Sequence, residues 1–204
     1  QVHNKTACAG FHKSRDFKKL WEAKVAQLYN VDEIKLRIVN GDGDPWIKPD
    51  LGEDGVYFQL DPFHITRQVL REVPDKKQAR ELNRLLRSGS VDEAFEYLTD
   101  LLIEYTEDEE AFKKLERLYN YLANNREGLV PYLLRGLKLP KLPDGLMYRG
   151  MGTMEGSACD IITLRMKNRK MSWSEEGGSN LARLLTARVS GTLYEELNAV
   201  FNGV

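Results

Sequence analysis

The sequence predicts an α/β protein: a mixed-sheet core interrupted by an all-helical insertion. Three observations point there. Two short strand patterns, each running into an aspartate, fall within residues 1–64. Between Ile65 and Asn125 only helix-period segments occur, and the Pro-rich connector LKLPKLPDG then leads into the glycine-containing stretch RGMGTMEG and further helices. The expected segments are therefore 1–64 (core), 65–140 (helical insertion) and 141–204 (return to the core). At 204 residues and 23.4 kDa, one core with an insertion fits better than two large domains. A hydrophobic content of 42 % with 30 % charged residues excludes a disordered or fibrous chain.

The elements follow in order. Ser14 opens an amphipathic helix through Leu28, with Phe17, Leu20, Trp21, Val25 and Leu28 on a face expected to pack on a sheet. IKLRIV alternates Ile34, Leu36 and Ile38 against Lys35 and Arg37 and enters the turn NGDG, so this strand delivers Asp42. VYFQL places Val56, Phe58 and Leu60 on one face and ends on Asp61. In the helical block, Ser90-x-x-Glu93 and Thr106-x-x-Glu109 match the capping box. Phe95, Leu98, Leu101, Leu102 and Tyr105 form one apolar stripe, and Phe112, Leu115, Leu118, Tyr119 and Leu122 another. Helices are expected from about Glu155 to Lys167 and from about Asn180 to Arg188.

Global charge points to no nucleic-acid partner, because 30 basic residues meet 31 acidic ones. No apolar run is long enough for a membrane span, and QVHNKTACAG lacks the apolar core of a signal peptide, so a cytoplasmic location is expected. Cys8 and Cys159 show no metal-binding or disulfide spacing and are expected to be reduced.

Three elements can carry chemistry. Asp42, between two glycines at a strand end, is placed to hold a divalent cation; the plain alternative is an Asp-Gly turn, and Asp44 is its nearer-surface competitor. Asp61 and His64, in DPFH, can assist an acid at the same sheet edge, or act simply as a helix N-cap and a half-buried first-turn residue. Glu155 shares an α-helical face with Ala158, Cys159, Ile162 and Met166, so its carboxylate is expected to point inward; the alternative is an acid placed by the helix dipole. Downstream, Arg165, Lys167, Arg169 and Lys170 supply a basic run suited to phosphate backbone, or else a solvated helix end, and Trp173 can stack on a base or pack in the core.

Taken together, VNGDGDPWIK, LDPFHITR and GTMEGSACDIITLRMKNRKMSWS resemble the bacterial insertion-sequence transposases of the Lre type, relatives of the Mutator-like transposases. AGFHKSRDFKKLWEAKVAQLY resembles the stretch before that family's second catalytic Asp, so the likeness covers nearly the whole chain. The resemblance implies an RNase H-like core with a DDE triad, split by a helical insertion between the second Asp and the Glu. Asp42 matches the second acid, Glu155 the third, and Asp61 with His64 the family's DxxH motif. It further implies that Asp42 and Glu155 hold Mg²⁺ (or Mn²⁺), that His64 lies near the catalytic centre, and that DNA is cut and joined by phosphoryl transfer. Nothing before Asp42 resembles the first acid, and the chain begins at Gln1, so it is expected to be a piece of a longer transposase, inactive alone and able to pair with a second copy. The competing expectations are a non-enzymatic remnant that binds DNA or a protein partner, and a paired-carboxylate glycosidase, which the basic run disfavours.

Overall fold

The structure is a computed structural model that describes residues 5–48, 55–152, 154–167 and 171–201. The chain divides into two compact units: residues 35–152, and residues 1–34 with 153–204.

The first unit, residues 35–152, is built on two strands and four helices: β1 (Arg37–Gly41), β2 (Val56–Leu60), α2 (Pro62–Glu72), α3 (Lys76–Ser88), α4 (Val91–Glu104) and α5 (Glu109–Ala123). Single 3₁₀ turns follow at Arg126–Gly128 and Tyr132–Leu134. β1 starts at Arg37, three residues later than its alternation suggests, because only Arg37 onward finds partners on β2. The pairing is parallel, in the register Arg37↔Val56 to Gly41↔Leu60. Parallel strands run to the same edge, so the residues that follow them, Asp42 and Asp61, emerge side by side.

The core lies between this small sheet and the helices. Phe58 and Leu60 of β2 are buried with Val69, Leu82, Leu98, Leu115, Leu118 and Leu122. Both stripes read from the sequence face this core, although their outer members Leu102, Tyr105, Phe112 and Tyr119 are only half-buried. Gln59, between the two apolar residues of β2, is equally buried at 2 % exposure. Its amide donates to the Gly128 carbonyl (2.8 Å) and accepts from the Tyr132 N–H (2.8 Å), so β2 is held on its other side by the 126–135 segment. Gly128 is a contact requirement: a Cβ there would lie 2.7 Å from the Phe58 ring and 2.8 Å from the Leu60 nitrogen. Glu72 is buried and charged, and is paired with Arg71 (2.6 Å) and Arg117 (3.0 Å).

Two helix caps of this unit differ from the capping boxes that the sequence suggests. α5 is capped by Asp108, whose carboxylate accepts from the Ala111 N–H, while Thr106 bonds back to the carbonyls of the preceding helix. Ser90 occupies the N-cap of α4 but makes no capping hydrogen bond, its hydroxyl meeting Ser88 instead.

Among its described residues, the second unit is all helix. α1 (Ser14–Leu28) has the expected limits but buries none of its residues, and no sheet lies within its unit to cover it. α6 (Met154–Ala158) continues through a π-helical turn, Cys159–Thr163, into α7 (Leu164–Met166). α8 (Glu175–Ser190) begins five residues earlier than expected, because Ser174 caps it through the Gly177 N–H, and α9 (Leu193–Phe201) was not foreseen. Cys8 and Cys159 are half-buried and unpaired. No helix among the described residues is long and apolar enough to cross a membrane.

Leu98→Ala, at a fully buried position, is expected to destabilise the chain by about 2–5 kcal/mol. Ile103→Ala on the same helix, at 69 % exposure, should stay within about 0.5 kcal/mol. Chemical denaturation followed by circular dichroism measures both.

Candidate functional site

The shared edge of β1 and β2 carries the acids. The Asp61 N–H donates to the Gly41 carbonyl (2.8 Å), which extends the ladder by one bond. The Asp61 carboxylate is 3 % exposed and fully committed: one oxygen accepts from the Phe63 N–H (2.8 Å) and caps α2, the other from the Asn40 amide (2.7 Å). Asp61 is thus a positioning residue that ties α2 to β1. His64, three residues further, is half-buried in the first turn of α2 and stands edge-on to Phe63, ring centroids 5.6 Å apart.

Asp42 is differently placed. It is half-buried, one carboxylate oxygen accepts from the Asp44 N–H (3.1 Å) in an Asx turn, and the other has no hydrogen bond from a described residue. Asp44 is exposed. No ion pair between described residues involves Asp42, Asp44 or Asp61.

The Asp42 loop is held from several sides. The Tyr121 hydroxyl donates to the Asp42 carbonyl (2.9 Å). Burial first, then the charges of Asp42, Asp61 and Asp44, push the Tyr121 hydroxyl up to about 12, so it stays protonated as a donor. Gly43 has φ +99°, and a Cβ there would meet the Asn125 amide at 2.6 Å, so both conformation and space demand glycine. Lys48 closes the loop by donating to the Asn124 carbonyl (2.7 Å) and pairing with Glu127 (2.8 Å). The two side-chain amides here, Asn40 and Asn125, each keep a buried carbonyl oxygen with no donor among the described residues. Carboxylates and unfilled amide oxygens are the hard donors that Mg²⁺ prefers. Among the described residues, however, no three His, Cys, Asp or Glu side chains gather closely enough to hold a metal by themselves.

Tyr121, Asn40, Asn125 and Lys48 escaped the sequence reading. Tyr121 lies one residue off the apolar stripe that Leu118 and Leu122 define, Asn40 and Lys48 lie within VNGDGDPWIK without a chemical signal of their own, and Asn125 marks only the end of the helical block.

Glu155 lies in the other unit, on α6, and the structure describes its backbone but not its side chain. The α-helical face assigned to it from Ala158 through Met166 is not kept, because the π turn at Cys159–Thr163 adds a residue to the repeat and shifts everything after it. Met166 is buried while Leu164 and Arg165 are exposed. Lys167 is also exposed, and Arg169 and Lys170 lie outside the described residues. Trp173 neither packs in a core nor stands free: 43 % exposed, its indole N–H donates to the Met166 carbonyl (3.0 Å) and caps α7.

Residues 6–200 match the family described as "Uncharacterised protein family (UPF0236)", and the chain belongs to it. Its relatives include three proteins of Caldanaerobacter subterraneus subsp. tengcongensis. UPF0236 protein TTE2489 is 26 % identical over 76 % of this chain and 32 % of its own length. UPF0236 protein TTE0402 is 27 % identical over 76 % of this chain and 30 % of its own. A third, 24 % identical over 78 % of this chain and 32 % of its own length, has a name that joins eleven locus labels, from TTE0033 to TTE2212. The chain therefore spans about a third of the relatives' length. No solved structure matches it significantly.

Tyr121→Phe removes one hydrogen bond and is expected to cost about 1 kcal/mol at neutral pH. The sign of its pH effect follows from the raised folded value: with the hydroxyl near 10 when unfolded and about 12 when folded, its stabilisation is complete below pH 10 and lost as pH rises toward 12. Denaturation midpoints measured from pH 8 to 12 should therefore fall less steeply in the variant; an identical fall would exclude Tyr121 as the group responsible.

Proposed function

We propose that this UPF0236 chain is part of the catalytic core of a DNA transposase with an RNase H-like fold, whose parent protein cuts and joins DNA at the ends of a mobile element. The observation that carries the reading is the edge at which parallel β1 and β2 release Asp42 and Asp61, with the helical block between that edge and the helix bearing Glu155. This is the order of acids and insertion that the transposase resemblance implies. The relative whose name joins eleven locus labels supports it independently, since many loci for one protein in one bacterium are what a gene that copies itself leaves behind.

The residues then divide the work by their surroundings. Asp42 keeps an uncommitted carboxylate oxygen on a loop that Tyr121, Lys48 and the Asn125–Gly43 contact hold rigid. Asp61, with both oxygens occupied, sets the angle between strand and helix and leaves Asp42 as the edge's ligand. Mg²⁺ or Mn²⁺ would be held by Asp42 and Glu155, and when bound it would offset charge on the phosphoryl oxygens during in-line displacement, first by water and then by the freed 3′-hydroxyl. His64 sits at the amino end of α2, where backbone N–H groups favour an anion, and is assigned to orienting a phosphate. Arg165 and Lys167, with Arg169 and Lys170, neutralise DNA backbone. A second reading, a non-enzymatic remnant that binds DNA or a protein partner, is favoured by one observation: the Asp42 carboxylate also closes an ordinary Asx turn onto the Asp44 N–H.

Two measurements decide between these readings. In a strand-transfer assay on a full-length protein containing this region, Asp42→Asn and Glu155→Gln should each lower activity at least about 100-fold, since metal stabilisation amounts to several kcal/mol. Retained activity in either variant removes that residue from the site. Calorimetric titration of the chain with Mn²⁺ should show binding that Asp42→Asn weakens, whereas DNA binding without any Mn²⁺ uptake favours the remnant.

A further inference from the structure

We propose that the exposed face of α3 binds a DNA strand, and that the cleft at the carboxyl end of α3 takes an unpaired, amine-bearing base of that strand. The inference rests on the DNA reading above and names a surface which that reading does not use.

α3 carries Lys76, Lys77, Arg80, Arg84 and Arg87 against a single acid, Glu81. All five cations are exposed. Lys76, Arg80, Arg84 and Arg87 follow one another at helical spacing, a stripe about 16 Å long at 1.5 Å per residue, which spans roughly ten duplex charges at one per 1.7 Å. Arg84 is held by Glu81 (2.6 Å), but Lys76, Lys77, Arg80 and Arg87 take part in no ion pair with a described residue. The neighbouring α4 holds Asp92, Glu93, Glu96, Asp100 and Glu104 and no cation. Charge in this block is therefore segregated, and the neutral total hides a basic helix. Helix stability accounts for Arg84, paired with Glu81, and for Arg87 in the last turn, but not for Lys76 and Lys77 in the first turn, where the macrodipole disfavours cations.

The stripe ends at a cleft of about 450 Å³, walled by Ile65, Leu86, Leu129 and Met151. Such a volume accommodates a nucleotide. Phe63, 44 % exposed, offers a ring for stacking at its edge. Asn83 belongs to the lining, is 7 % exposed, and donates to the Ala79 carbonyl (3.0 Å), yet its own carbonyl oxygen has no donor among the described residues. A buried acceptor left empty is unfavourable; a turn of the Asn83 side chain toward the cleft would let it accept from the exocyclic amine of an unpaired adenine or cytosine. Arg87, also in the lining, donates to the Thr66 hydroxyl (3.3 Å) and carries the positive stripe into the cleft.

The test is fluorescence anisotropy with the whole chain in chelator, over a salt series, using a labelled duplex with a single-stranded 3′ adenine overhang. The triple variant K76Q/R80Q/R87Q should reduce the log–log salt slope by about two to three, at 0.7–0.9 per lost phosphate contact. A 2-aminopurine placed in the overhang should be quenched by the unaltered chain and not by Phe63→Ala, an exposed position whose change leaves the fold intact by circular dichroism. Binding with an unchanged slope in the triple variant, or without quenching by the unaltered chain, overturns this inference alone. Failure of the unaltered chain to bind DNA at low salt overturns it together with the DNA reading.

Discussion

Parallel pairing of two five-residue strands is the constraint on which the acidic edge depends. A pair this short is marginal by itself. It persists because β2 is held from both sides: Phe58 and Leu60 sink among the leucines of the helices, and Gln59 bonds the backbone of the segment after α5. β1 has no such cover, with every residue only half-buried, so its position comes from β2 and from the Asn40–Asp61 hydrogen bond. The helical block is thus the platform that makes the strand edge possible, as well as the element that separates it from Glu155 in sequence.

That edge concentrates negative charge that no cation among the described residues balances. Asp42, Asp44 and Asp61 all act on the Tyr121 hydroxyl, and two buried amide oxygens nearby lack donors. Buried Glu72, by contrast, is paired with two arginines. Glu72 is thus compensated as its burial requires, whereas half-buried Asp42 pairs with no cation among the described residues.

The fold was legible where local rules act alone. The limits of α1 and β2, both apolar stripes of the helical block, and two aspartates at two strand ends all follow from period, capping and turn chemistry. Misreadings arose where two local signals competed. Thr106 and Asp108 can each cap α5, and the nearer carboxylate prevails. The α-period placed Glu155 and Met166 on one face, but the π turn between them follows from backbone hydrogen bonding that side-chain periodicity does not report. The basic run at Arg165 was visible because it is contiguous; the cations of α3 were not, because the acids of α4 cancel them in any sum over the block.

The sequence by itself determined which residues are apolar and at what period, hence the helices, the strand faces and the choice of Asp42, Asp61 and Glu155 as candidate acids. Only the tertiary structure decided that β1 and β2 run parallel, that Asp61 spends both oxygens on structure while Asp42 keeps one uncommitted, and that Tyr121, Asn40, Asn125 and Lys48 build the loop around it. The physical reason is range. Propensity and periodicity act over a few residues, whereas the Tyr121 hydroxyl and the Asp42 carbonyl it bonds are 79 positions apart, and only the packed helical block brings such partners into contact.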